Sequence, residues 1–67
     1  MTLRFIGTTS EYGNCPTLYE IAETGDIVVQ GAKITDPADL AGLRDLGADE
    51  TAVIIPRELL TRFAPKE

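Results

Sequence analysis

The chain has 67 residues, which is enough for one domain spanning residues 1–67 but too few to bury a large core. Eleven acidic residues against six basic ones give a net charge of −5, which opposes binding to nucleic-acid phosphates and to anionic membranes. There is one cysteine and no histidine, so an intrachain disulfide is excluded and a zinc site of four nitrogen or sulfur ligands is not expected.

Location and assembly follow from the same counts. No apolar run approaches the roughly 20 residues that a membrane span requires, and the first residues lack the pattern of a signal peptide. With a single thiol, these features predict a cytoplasmic protein. Small domains often gain stability from disulfides, a metal or self-association. Because the first two are disfavoured, self-association is the option that remains, and we expect a protein partner that is either a second copy, as a homodimer, or a regulator.

The N-terminal half of the chain is predicted to form strands. Residues 2–6 alternate polar and apolar side chains and suit a short strand that ends at Gly7. Residues 17–22 and 27–34 are two extended runs separated by turn-forming residues. Gly25 can take a positive φ in that turn, so the pattern indicates a hairpin.

The hairpin carries apolar side chains on both of its faces. Tyr19 and Ile21 share one face of the first run, and Leu18 lies on the other. We therefore expect one face to pack on helices and the other on a partner chain. Gly31 is predicted to mark a bulge or a close approach of another backbone.

The C-terminal half is predicted to begin with a helix. Asp36 can cap it, Pro37 suits its first position and Asp39 suits its positive end. Leucines follow at helical spacing as far as a stop at Gly47.

A strand and a second helix are predicted to follow. The apolar residues 52–55 are typical of a central strand. Pro56 then starts a helix whose buried stripe is Leu59, Leu60 and Phe63. Together these elements predict an α+β fold, with a small antiparallel or mixed sheet of three to four strands and two short helices.

Candidate catalytic groups are few. Cys15 is the one possible thiol nucleophile, but without histidine its base would have to be a carboxylate or Lys33, and neither is expected nearby. We interpret Cys15 as a small apolar side chain. Capping and solvation explain the acidic residues, which are Asp36, Asp39, Asp45, Asp49 and Glu50. No glycine-rich phosphate loop is present. The sequence therefore predicts no enzyme, no cofactor and no metal site.

A partner interface is predicted instead. We expect it to include Val28, Gln30 and Ala32 of the hairpin together with Arg57 and Arg62 of the last helix. Arg57, Arg62 and Lys66 form a small basic edge that could meet an acidic partner, although cations near a helix end also suit the helix dipole.

One segment resembles a DNA-binding family. Residues 52–60 run from a strand through proline into a helix, and this pattern looks like the corresponding segment of AbrB-type swapped-hairpin domains. In that family two chains exchange strands and present arginines to DNA. The resemblance implies a DNA-binding dimer as the alternative function.

A longer stretch resembles the small actinobacterial proteins grouped as domain of unknown function 397. The matching features are the Gly-Asn-Cys of residues 13–15, the hairpin runs, Lys33, the Asp-Pro of residues 36–37, and the strand and helix of residues 53–63. The family's Arg-Asp-Ser-Lys signature is replaced here by residues 30–33. Members are encoded beside helix-turn-helix regulators. The resemblance implies a small regulatory partner protein of such a regulator, or one half of a toxin–antitoxin-like pair, with no catalytic residues.

Overall fold

The structure is a computed structural model that describes residues 1–9 and 16–66. Within them the chain forms, in order, β1 (Leu3–Thr8), β2 (Thr17–Ile21), β3 (Ile27–Gln30), β4 (Ala32–Lys33), α1 (Pro37–Ala41), β5 (Val53–Ile54) and α2 (Arg57–Phe63). Strands β1, β2 and β3 make an antiparallel sheet in that order, and β4 pairs with β5 in a second sheet. This arrangement confirms the predicted α+β class. Cys15 lies outside the described residues.

Strand β1 is longer than predicted because it contains a bulge. Its register against β2 shifts between Phe5, which lies opposite Tyr19, and Gly7, which lies opposite Leu18. The extra residue is Ile6. A bulge accommodates one unpaired residue and lets the strand continue, so the prediction that the strand ends at Gly7 was wrong.

The predicted hairpin turn between β2 and β3 is confirmed. Gly25 has a φ of 81°, which is the left-handed region where glycine carries no steric penalty. The carbonyl of Ile21 accepts from the N–H groups of Thr24, at 3.2 Å, and Gly25, at 2.8 Å. The Thr24 hydroxyl also accepts from the N–H of Asp26 at 3.1 Å.

Gly31 separates β3 from β4. A Cβ at this position would lie 2.6 Å from Cγ2 of Ile55 and 2.8 Å from the carbonyl oxygen of Ile54. The predicted close approach of another backbone is therefore confirmed. The single strand predicted over residues 27–34 was wrong, because the chain leaves the first sheet at this glycine and β4 pairs with β5 instead.

Strand β5 is not the central strand that its apolar sequence predicted. It pairs only with β4 among the described strands, and Ile54 is 61% exposed. An apolar run of four residues carries no information on how many neighbours a strand has, so the prediction failed on topology rather than on strand formation.

Helix α1 begins as predicted and ends early. The Asp36 carboxylate accepts from the N–H of Ala38 at 2.9 Å, and Pro37 is the first helical residue. The helix stops at the C-cap Gly42 instead of Gly47. Asp45 then has a φ of 52°, which no α-helix can contain.

Helix α2 closes the core. It starts after Pro56 as predicted, and Leu59 is fully buried while Phe63 is half-buried. Leu60 was wrongly placed in the buried stripe, because 48% of it is exposed. The helix packs on β1 and β2, where Leu18 is also fully buried. The core of the described chain is therefore centred between α2 and the middle of the first sheet.

Candidate protein-interaction face

The first sheet has one side covered by α2. A Cβ on Gly7 would lie 2.5 Å from Cγ and 2.7 Å from Cε1 of Phe63, so the ring occupies the space above this glycine. Gly7 lies opposite Leu18, which in turn lies opposite Val29. Paired residues point to the same side of a sheet, so the helix covers the side to which Leu18 points. We call this side the helix face; its residues are Arg4, Gly7, Leu18, Glu20, Ile27 and Val29.

The other side of the sheet has no helix packed extensively on it within the described part of the chain, although Thr17 on that side is only 4% exposed. By alternation and register this side carries a second set of eight side chains, which we call the aromatic face: Leu3, Phe5, Thr8, Thr17, Tyr19, Ile21, Val28 and Gln30. Phe5 is 64% exposed and Leu3 is 46% exposed. Within residues 1–9 and 16–66, α2 is the helix that packs extensively on the first sheet, and it lies on the helix face.

Side chains from all three strands meet on the aromatic face. The rings of Phe5 and Tyr19 are 6.4 Å apart between centroids at an interplanar angle of 77°, which is an edge-to-face contact. The Tyr19 hydroxyl donates to Oε1 of Gln30 at 3.1 Å. These two contacts restrict the orientation of both rings.

The aromatic face is uncharged. The charged residues within the three strands are Arg4 and Glu20, and they lie opposite each other on the helix face. Five of the eleven acidic residues belong to the segment between β4 and β5, and two of them make capping or turn contacts. Asp36 caps α1, and Glu50 Oε1 accepts from the N–H of Gly47 at 2.8 Å.

One carboxylate lies at the end of the sheet. Oε1 of Glu23 accepts from the Thr2 backbone N–H at 2.9 Å, and Oε2 accepts from the Thr2 hydroxyl at 2.7 Å. These hydrogen bonds, the backbone one foremost, lower the pKa of Glu23 because they stabilise its charged form. They also fasten the start of β1 to the hairpin turn.

The structure separates the residues predicted to form the partner interface. Val28 and Gln30 both belong to the aromatic face, whereas Ala32 lies in the second sheet. Arg57 and Arg62 lie on α2, which packs on the opposite side of the first sheet. Arg62 pairs with Glu58 at 3.2 Å and lies 4.8 Å from the centroid of the Phe63 ring.

Sequence reasoning missed Leu3 and Phe5. Their spacing of two residues placed them on one side of β1, but the side could not be assigned without the register against β2. The bulge after Phe5 made the side of β1 harder to assign, because it shifts the alternation so that Gly7, and not Ile6, lies opposite Leu18.

The described residues offer little for other chemistry. In residues 1–9 and 16–66, no three histidine, cysteine, aspartate or glutamate side chains are grouped as a metal ion would require. The two helices in this part of the chain have five and seven residues, so neither can cross a membrane. The aromatic face is the feature of this structure best suited to binding.

Comparison with known proteins adds no relatives. No protein-family model matches the chain, and neither the curated proteins nor the solved structures contain a significant match.

Proposed function

We propose that this chain is a non-enzymatic protein-interaction module and that the aromatic face is its binding surface. The observation that carries the proposal is a folded sheet on which α2 packs against one side, while the opposite side carries no charged residue and leaves Phe5 64% and Leu3 46% exposed. Folded monomers rarely leave a contiguous apolar patch in water unless it serves an interaction.

The composition of the face suits a protein partner. Aromatic side chains are enriched at the buried centres of interfaces, and charged ones are depleted there. Phe5 and Tyr19 supply large rigid surfaces, and Gln30 supplies a polar group at the edge. Because the Tyr19–Gln30 hydrogen bond and the edge-to-face contact already restrict these side chains, ordering them on binding costs little entropy.

A regulatory role is the finer part of the proposal. Its support is the resemblance of residues 13–15, 33, 36–37 and 53–63 to the actinobacterial family described above. That resemblance implies action on a helix-turn-helix regulator or within a toxin–antitoxin-like pair. The net charge of −5 fits a protein that acts on a regulator better than one that binds DNA itself.

Site-specific photo-cross-linking in cells tests the use of this face. A photoreactive phenylalanine derivative is incorporated in place of Phe5 in one strain and in place of Leu60 in another. Leu60 is the matched control, since it is also a large apolar side chain and is 48% exposed, but it lies on α2.

We expect protein adducts from position 5 in several-fold excess over those from position 60. Equal yields from the two positions, or no adduct from position 5, would contradict the proposal. Circular dichroism of both purified proteins verifies that each is folded.

A further inference from the structure

The chain exposes more surface than a compact monomer of its size. A folded monomer of 7.2 kDa should expose about 4,100 Å², whereas this chain exposes 5388 Å². Its radius of gyration is 13.2 Å, against about 11 Å for a compact domain of this length. Among the described apolar side chains only Leu18 and Leu59 are fully buried. A core this small contributes little to the free energy of unfolding, so the stability of the fold depends on burying more apolar surface.

The surplus is large enough to form a dimer interface. A standard interface removes about 800 Å² from each partner, which is less than the difference between the two surface areas above. Part of the surplus belongs to α1 and the segment before β5, because α1 makes no extensive contact with either sheet. The aromatic face contributes to the surplus through two large apolar side chains, Leu3, which is 46% exposed, and Phe5, which is 64% exposed.

The charge distribution favours a second copy as the occupant. Two chains of net charge −5 repel each other, so a self-contact is more favourable through a surface without charged residues. In a two-fold contact, residues near the axis meet their own equivalents, and any charge there would meet a like charge. The aromatic face has none, while Arg4 and Glu20 are turned to the other side of the sheet. The absence of charge on this face therefore favours self-association, because it avoids like-charge contacts at the axis.

We propose that a second copy of this chain packs on the aromatic face, so that two three-stranded sheets lie face to face with α2 of each copy outside. The inference rests on the proposed function, since it names the partner of the same surface. Packed sheets lie about 10 Å apart with their inner side chains interdigitated. Phe5, Tyr19 and Val28 of both copies then form the centre of the contact. Arg57 and Arg62, which lie on α2, stay outside this contact.

Sedimentation equilibrium of the purified full chain tests the inference. We expect wild type to have twice the 7.2 kDa chain mass and Phe5→Glu to have the mass of one chain. Leu60→Glu, which adds the same charge to an exposed apolar side chain on α2, should retain the doubled mass. A monomeric wild type overturns the inference. So does a dimer that Leu60→Glu dissociates and Phe5→Glu does not.

A second measurement needs no substitution, in case Phe5→Glu fails to fold. In a mixture of isotope-labelled and unlabelled wild-type chains, we expect intermolecular nuclear Overhauser effects between the Tyr19 ring of one copy and Phe5 or Val28 of the other. Intermolecular effects confined to α2 residues would place the contact elsewhere and overturn the inference.

The two proposals fail in different ways. A folded monomer whose position 5 cross-links to a different protein contradicts the second copy and leaves the interaction module standing. A monomer that gives no adduct from position 5 contradicts both. Adducts of twice the chain mass, together with a dimeric wild type and a monomeric Phe5→Glu, support both.

Discussion

At the scale of single residues, Gly7 sets how closely α2 approaches the first sheet. The Phe63 ring lies where a side chain on Gly7 would be, and Leu18 lies opposite Gly7 on the same side of the sheet. The ring can reach this position only because glycine has no Cβ. Leu59 lies on the same helix and is fully buried in the core.

Gly7→Ala should therefore loosen the helix from the sheet. Its Cβ would lie 2.5 Å from Cγ of Phe63, and overpacking of this kind costs about 1–3 kcal/mol in the free energy of unfolding. Urea titration followed by circular dichroism measures the change.

Two further variants control for this experiment. Gly42→Ala should be close to neutral, because its Cβ would meet only the Asp39 carbonyl at 3.4 Å and its φ of −79° suits any residue. In a chain that already carries Phe63→Ala, the same change at Gly7 should cost less. A Gly7→Ala protein as stable as wild type would show that the ring does not pack on this glycine.

The Thr2–Glu23 contact has a pH dependence of defined sign. The pKa of Glu23 is lower in the folded chain than in the unfolded chain, chiefly because of the Thr2 backbone N–H and then because of its hydroxyl. The contact therefore stabilises the fold at pH values above the pKa that Glu23 has in the unfolded chain. That contribution is lost as the pH falls through the lower, folded pKa. Carboxyl carbon chemical shifts in a pH titration report the value directly.

The Thr2→Val variant distinguishes the effects of the two hydrogen bonds on the pKa of Glu23. It removes the hydroxyl and keeps the backbone N–H, so we expect the pKa of Glu23 to rise part of the way toward its value in the unfolded chain. A Glu23 pKa that is the same in folded and urea-unfolded wild-type protein would contradict the account of this contact.

At the scale of elements, local signals predicted where segments begin and turn. Asp36 and Pro37 start α1, and Gly25 takes the positive φ that the turn demands. Each of these depends on one or two residues and their own backbone. The extent of an element depends on tertiary contacts, which is why the ends predicted at Gly7 and Gly47 were wrong.

Pairing between elements was the harder part to predict. The apolar run that contains β5 predicted a strand, but nothing in four apolar residues indicates that β4 is its neighbour. Only the hairpin residues of the aromatic face were predicted from the sequence. The position of Phe5 depends on the register of β1 against β2, which contains a bulge that the residue pattern does not indicate.

Gly31→Ala tests the link between the two sheets. The added Cβ would lie 2.8 Å from the Ile54 carbonyl oxygen, so we expect it to separate β4 from β5. Amide hydrogen exchange should then become faster at Ile34, whose N–H donates to the Ala52 carbonyl at 3.1 Å. The amide of Ile21 is the control, since it donates to Asp26 at 2.8 Å within the first sheet. Unchanged exchange at Ile34 would contradict the close approach.

At the scale of the whole molecule, the two sides of the first sheet differ in charge and in helix contact. The helix face receives α2 and carries the strand charges Arg4 and Glu20, whereas the aromatic face carries no charged residue and exposes Phe5. Of the apolar side chains that the structure describes, only Leu18 and Leu59 are completely buried, so the folded chain is expected to have a small free energy of unfolding. Covering the aromatic face would therefore contribute both to binding and to the stability of the fold.

The resemblance to the actinobacterial family stays a prediction, as does the alternative of a swapped-hairpin DNA-binding dimer. The two hypotheses assign the function to different surfaces of the molecule. A DNA-binding dimer depends on arginines such as Arg57 and Arg62 reaching phosphates, and Arg62 already pairs with Glu58. An interaction module depends on Phe5 and Tyr19 being covered by another chain.

The most direct test of the central claim is the solvent accessibility of methyl groups on the two sides of the molecule. A soluble paramagnetic agent is added to methyl-labelled wild-type protein at high concentration, and relaxation rates are compared between Leu3 and Val28 on the aromatic face and Leu60 on α2. If another chain covers the aromatic face, the methyl groups of Leu3 and Val28 will be protected while those of Leu60 relax rapidly. Relaxation of Leu3, 46% exposed in the single chain, as fast as that of Leu60, 48% exposed, would contradict the account.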